Sequence, residues 1–249
     1  RITSIFGKFK NPDKETVLTP WRVVNMHIGN CLGGYVFFDE KFENTTHEPR
    51  LINQANVTEE VYSKDSCILE INSKSGLYPL FIAYSVYRNA IKIAYPEKEY
   101  NELTVIEQHK IWDEVVATNV FILCKTPMAK SITKRTLVGF RDVKVNTRYF
   151  EDLENQITHK QSNFLDKVKK GKTYWKANNN NDMKFNAIVG NPPYQVMDGG
   201  NSVSAKPVYH HFVEIAKSIK PDYFSLIMPA RWYAGGKGLD TFRETMLND

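Results

Sequence analysis

Apolar residues along this 249-residue chain fall into short unbroken runs separated by stretches where they recur every three or four positions. The first kind of pattern predicts strands buried on both faces and the second predicts amphipathic helices. Thr19-Pro20-Trp21-Arg22-Val23-Val24-Asn25-Met26 puts proline in a first turn with apolar residues following at helical spacing, which predicts a helix. Residues 40–66 read as polar and irregular. Cys67-Ile68-Leu69-Glu70-Ile71 predicts a strand, Asn72 to Gly76 a polar turn, and Leu77 to Ile93 a helix with Leu80, Ala83, Tyr84 and Tyr87 on one face. A further helix is expected from Tyr100 to Ala117, a strand from Asn119 to Cys124, a helix from Pro127 to Leu137 and a weaker strand from Val143 to Asn146. Phe185 to Val189 and Tyr223 to Met228 complete the set of strands, with a helix from Val208 to Ile219 between them. Strands alternating with helices imply an α/β fold, a doubly wound and mostly parallel sheet with helices on both faces. Its ligands would sit beyond the carboxyl ends of the strands, where the Glu70, Cys124 and Asn191 segments converge.

Composition narrows the class without naming a chemistry. Hydrophobic residues make up 42% and charged residues 24%, as in ordinary globular domains. No window approaches the length of an apolar membrane span, and no secretory leader pattern opens the chain. Cys31, Cys67 and Cys124 are too far apart to form a short-spaced metal motif, so a reducing, cytoplasmic setting is expected. Lys and Arg outnumber Asp and Glu by 33 to 28, a mild excess compatible with a polyanionic partner. The expected division is an N-terminal segment over residues 1–66 and a catalytic core over 67–249. An arginine at position 1 and a helix-like end suggest a piece of a longer protein. Asn178 to Asn181 reads as a surface loop.

The informative string is Asn191-Pro192-Pro193-Tyr194, directly after a buried-type strand. An exocyclic adenine amine is a poor nucleophile because its lone pair is delocalised into the ring. Two acceptors that take both of its hydrogens would favour a pyramidal nitrogen and free that pair. The Asn191 side-chain oxygen and the Pro192 carbonyl are suitable, since Pro193 stiffens the backbone and restricts the residue before it. Tyr194 would offer a stacking face to an extruded base, worth about 1–3 kcal/mol. The flexible Gly/Ser stretch Asp198 to Ser204 is suited to ordering over a substrate. The plainer alternative is a proline-stiffened turn at a strand end.

With these residues in place, the sequence resembles the gamma class of adenine-N(6) DNA methyltransferases of restriction-modification systems, over most of residues 16–249. In that family a Thr-Pro helix, a cofactor loop and the Asn-Pro-Pro-Tyr motif follow one another. Thr19-Pro20, Glu70 through Gly76 and residues 191–194 stand here in the same order. Ile227-Met228-Pro229-Ala230-Arg231-Trp232 with Gly235-Gly236-Lys237-Gly238 resembles the later strand and loop. The resemblance implies a Rossmann-like fold that binds S-adenosylmethionine. Thr19, Pro20, Glu70, Asn72, Ser75 and Gly76 would lie at the cofactor, and Asn191, Pro192 and Tyr194 would be catalytic. It also implies double-stranded DNA as substrate, with a target-recognition domain after the catalytic one and a nuclease or helicase as possible partners. Three positions depart from the family: Lys74 stands where glycine is usual, Cys124 where an acid meets the ribose, and Arg148 near a third acid. Asp142 and Glu151 are candidate substitutes.

Pro193, Lys206, Arg231 and Lys237 are the candidate DNA contacts, with solvated surface charge the equal alternative for the cations. Trp232 and Tyr233 would either touch DNA or pack beneath the rim. Gly235 to Gly238 lacks the spacing of a phosphate loop and reads as a turn. His210 and His211, adjacent on a helix, are expected to face apart, and Pro12, Asp13 and Glu15 lack the strand of a nuclease site. Two rival functions remain at this level, a protein-glutamine methyltransferase using the same tetrapeptide and a catalytically weak scaffold segment of a larger restriction enzyme.

Overall fold

The computed structural model describes residues 18–176, 182–196 and 206–248. The runs at Asn178–Asn181 and Asp198–Ser204, and Pro12, Asp13 and Glu15, lie outside these residues. The centre is a parallel five-stranded sheet of β3 (Ile68–Ser73), β4 (Val120–Cys124), β5 (Asn146–Tyr149), β6 (Ala187–Gly190) and β9 (Tyr223–Leu226), in the order β5-β4-β3-β6-β9. Alternation along the strands sends two sets of side chains to two cores. Ile68, Val120, Ile122, Ala187 and Val189 meet α1 (Trp21–Cys31), α3 (Leu77–Ala94), α4 (Val105–Thr118) and α5 (Pro127–Val138). Leu69, Ile71, Phe121, Leu123 and Ile188 meet α6 (Leu153–His159), α7 (Gln161–Lys169) and α8 (Tyr209–Ile219). Both faces are covered, which is why the central strands β4, β3 and β6 read as mainly apolar runs. A smaller cluster joins α8 to α9 (Asp240–Asn248) through Tyr209, Val213, Trp232, Leu239 and Phe242.

Residues 40–66 are not irregular. β1 (Gly34–Phe38) and β2 (Thr45–Ile52) form an antiparallel ribbon, followed by α2 (Asn56–Val61). The strand in Thr45–Ile52 was hidden because most of its residues are polar, none is fully buried and Pro49 interrupts them. The ribbon is docked by specific bonds: the Phe37 amide donates to Asn25 Oδ1 at 2.8 Å and the Tyr35 amide to Ser85 Oγ at 3.0 Å. It therefore shares the core of α1 and α3. The third parallel strand begins at Asn146, whose buried side chain donates to the Ala117 carbonyl, so Val143 to Val145 lead into it rather than form it. The helix expected from Tyr100 is a single 3-10 turn, and α4 proper starts after Thr104, whose hydroxyl and Glu107 form a capping box.

The strand order reverses between β3 and β6, because β3 connects outward to β4 and β6 connects the other way to β9. Such a switch point opens a crevice at the carboxyl ends of the two strands. Close approach there needs Gly190, since a Cβ on it would stand 2.5 Å from the Ile71 carbonyl oxygen.

Candidate active site

Asn72 and Ser73 are part of β3 rather than a turn, with a bulge between Ile71 and Ser73. Asn72 takes up that bulge at φ +73°, a conformation an Asn side chain tolerates better than most. Gly76 follows at φ +78° and caps α3. A Cβ on Gly76 would stand 3.0 Å from Thr133 Cα, so its glycine is needed for the approach of α5. Ser75 is buried and its carbonyl accepts a 2.7 Å bond from Thr136 Oγ1, fixing the loop to the same helix.

Across the crevice, Asn191 leaves β6 and is held at two points. Its main-chain carbonyl accepts from Asn72 Nδ2 at 3.0 Å, and its side-chain Nδ2 donates to Thr19 Oγ1, also at 3.0 Å. With the nitrogen occupied, Asn191 Oδ1 is left buried and without a partner, as are Asn72 Oδ1 and Glu70 Oε2. All three residues line one small cavity of about 10 Å³, together with Thr19, Lys74, Ser75, Leu77 and Tyr78. Unmet acceptors buried in such numbers call for a donor-rich guest. The volume fits a single ammonium-sized head. A primary ammonium suits the set, so the residues present fit the amino-acid end of S-adenosylmethionine; its nucleoside would have to lie outside this cavity.

Burial pushes the Glu70 carboxyl up to about 8, with Ser73 and Lys74 pulling it back. Burial also lowers Lys74, and Lys125 acts in the same direction against Glu70 and Glu154. Lys74 thus occupies the wall where a glycine was expected, as a cation in a site built from acceptors.

In the tetrapeptide Pro192 is buried, Pro193 is half-buried and Tyr194 is 38% exposed. Burial raises the Tyr194 hydroxyl, and the Asn191 side chain acts against that rise. The chain then enters a short ribbon, β7 (Gln195–Val196) paired antiparallel with β8 (Lys206–Pro207), closed by the Val208 amide on the Tyr194 carbonyl. Lys206 is exposed on this ribbon, paired with Val196 two residues beyond Tyr194. Pro20 is exposed at the start of α1, where its carbonyl accepts from the Val24 amide. Arg231 lies in a 3-10 turn after β9, and exposed Lys237 follows it at φ +50°, so both stand beyond the carboxyl edge of the sheet. Trp232 packs beneath the rim on Phe242, while Tyr233 stacks on it at 3.9 Å and stays 61% exposed. The rings of His210 and His211 do not face apart; their centroids are 3.9 Å from each other, because α8 begins at the preceding residue and its first turn draws them together.

Of the departures, Cys124 is buried with its thiol pushed up to about 12 by desolvation. Arg148 is a structural group that donates to the Tyr174 carbonyl at 2.7 Å. Asp142 precedes β5 and so lies at the wrong end of the strand, whereas Glu151 follows its carboxyl end. A residue the sequence did not single out, Glu154, bonds Lys125 at 2.8 Å and brings a carboxylate to the end of β4. His27 was missed as well: it is half-buried between Tyr78 Oη and Ser225 Oγ, both at 2.8 Å, and desolvation lowers it to about 4. This neutral imidazole ties α1 to α3 and β9, and so steadies the helix that follows Thr19.

Residues 118–249, more than half of the chain, match the protein family described as Eco57I restriction-modification methylase. Over 59 residues the chain is 39% identical to an uncharacterised adenine-specific methylase of Mycoplasma pneumoniae. That match covers 23% of this chain and spans 14% of the relative's length.

Proposed function

Because the chain belongs to the family of Eco57I restriction-modification methylases, we propose that it methylates the exocyclic amine of adenine in double-stranded DNA with S-adenosylmethionine, as part of a restriction-modification system. The observation that carries this reading is the buried, unpartnered Asn191 Oδ1 in one cavity with Glu70. S-adenosylmethionine, when bound, supplies an electrophilic methyl group. Glu70 and Asn72 would receive its ammonium with oxygen acceptors, and Thr19 occupies the Asn191 nitrogen so that the side-chain oxygen is left for the target amine.

The Asn191 Oδ1 and the Pro192 carbonyl would each take one hydrogen of the target amine, leaving its lone pair directed at the methyl carbon. On methylation the target nitrogen would have one proton to shed. Neither oxygen is basic enough to keep it, so it leaves to water past the partly open Tyr194 side. Tyr194 stacks on the extruded base, and Lys206, Arg231 and Lys237 meet phosphates. Glu151 and Glu154 are the acids offered to the ribose hydroxyls in place of Cys124.

Asn191→Ala tests the mechanism. Methyl transfer into DNA is expected to fall by at least about 100-fold, the scale for loss of one transition-state hydrogen-bonding group. The thermal midpoint should stay near the native value. Unchanged transfer in that variant contradicts the assignment.

A further inference from the structure

The Asn72 side chain serves two masters in the crevice. One end, Nδ2, holds the main-chain carbonyl of Asn191 at 3.0 Å, and the other, Oδ1, is buried, unpartnered and on the wall of the cavity shared with Glu70. The residue is 4% exposed and sits at φ +73°, where few side chains are tolerated. Glycine would suit that backbone but provide neither end, and aspartate would provide an acceptor without a donor. Asparagine accepts this φ and supplies both from one short planar amide.

We propose that Asn72 is a positioning residue that couples occupancy of the ammonium pocket to the posture of the catalytic loop. The inference rests on the proposed function and concerns how its two subsites communicate. A cation against Oδ1 fixes the amide with its nitrogen toward Asn191, because the flipped amide would set Nδ2 against the cation and Oδ1 against a carbonyl oxygen. The loop is then held with Asn191 Oδ1 presented to an incoming amine. Gly190 fixes where the loop leaves the sheet, and the Asn72 bond fixes its next residue. Cofactor and DNA should therefore favour each other's binding by one common factor, as linkage requires.

The test measures that factor without turnover. Affinity for unmethylated genomic duplex fragments is determined with and without saturating S-adenosylhomocysteine, and affinity for S-adenosylhomocysteine with and without DNA. The native chain is expected to show the same tightening in both directions, about five-fold or more. Asn72→Asp keeps the acceptor for the ammonium, so it should bind S-adenosylhomocysteine at least as well as the native chain while the coupling factor falls to one. Asn72→Gly keeps the backbone conformation and should lose the coupling too. A factor preserved in both variants, or a factor of one in the native chain, overturns the proposal. Absence of S-adenosylhomocysteine binding by the native chain instead removes the functional reading beneath it.

Discussion

Glu70 is enclosed at the carboxyl end of β3 with one oxygen unpartnered, and its carboxyl is pushed up to about 8 chiefly by desolvation. The free protein therefore holds a proton there at neutral pH, and a bound ammonium would draw the group to its ionised form. Binding of S-adenosylhomocysteine at pH 7 should release close to one proton, read by calorimetry in buffers of different ionisation enthalpy. Affinity should rise with pH and level off above about 8. Glu70→Gln should abolish both the proton release and the rise. The same shift bears on stability. The folded value lies above the ordinary 4.5, so this contribution is whole below 4.5 and is lost as pH rises through 8. The cost is on the order of a few kcal/mol. Glu70→Gln should therefore unfold at a higher temperature than the native chain at pH 9, with little difference at pH 4; no difference at pH 9 would show the carboxyl to be solvated. The tetrapeptide was legible in the sequence because its residue types match a chemical need. The second attachment of Asn72 was not, since it depends on a positive φ and on a carbonyl 119 residues away. His27 was equally hidden, its partners being 51 and 198 positions distant.

The elements that build the crevice were readable wherever burial is two-sided. β3, β4 and β6 announce themselves as apolar runs, and so does β1, whereas its partner β2 is mostly polar, has no fully buried residue and shows no such run. Sequence periodicity could give the alternation of strand and helix but not the strand order, which depends on which neighbours pair. That order puts β6 beside β3, and the pairing is tightest at Gly190. Gly190→Ala inserts a methyl group at 2.5 Å from the Ile71 carbonyl oxygen, and neither backbone can give way without separating the strands. The variant should be destabilised by about 1–3 kcal/mol. For a chain of this length that is a fall of roughly 2–12 °C in thermal midpoint. Transfer activity should fall with it, because Asn191 is the next residue. A variant as stable and active as the native chain would mean that the two strands do not approach this closely.

At the scale of the whole molecule, the parallel sheet brings residues from positions 19, 70–78 and 191–194 to one rim, although no two of these segments are neighbours in sequence. The exposed cations Lys206, Arg231 and Lys237 follow β7 and β9 beyond that same edge, and the chain carries a formal net charge of +5. Among the described residues no helix is long and apolar enough to cross a membrane, and no cluster of metal-ligating side chains is present. Asn191 and Pro192 are proposed to hold an adenine amine for methylation. The most direct test is to incubate the chain with methyl-labelled S-adenosylmethionine and unmethylated genomic duplex DNA, digest the DNA to nucleosides and separate them. The label should run with N6-methyldeoxyadenosine and disappear in Asn191→Ala. Label in a cytosine nucleoside, label in protein glutamine, or equal adenine labelling by the variant would contradict it.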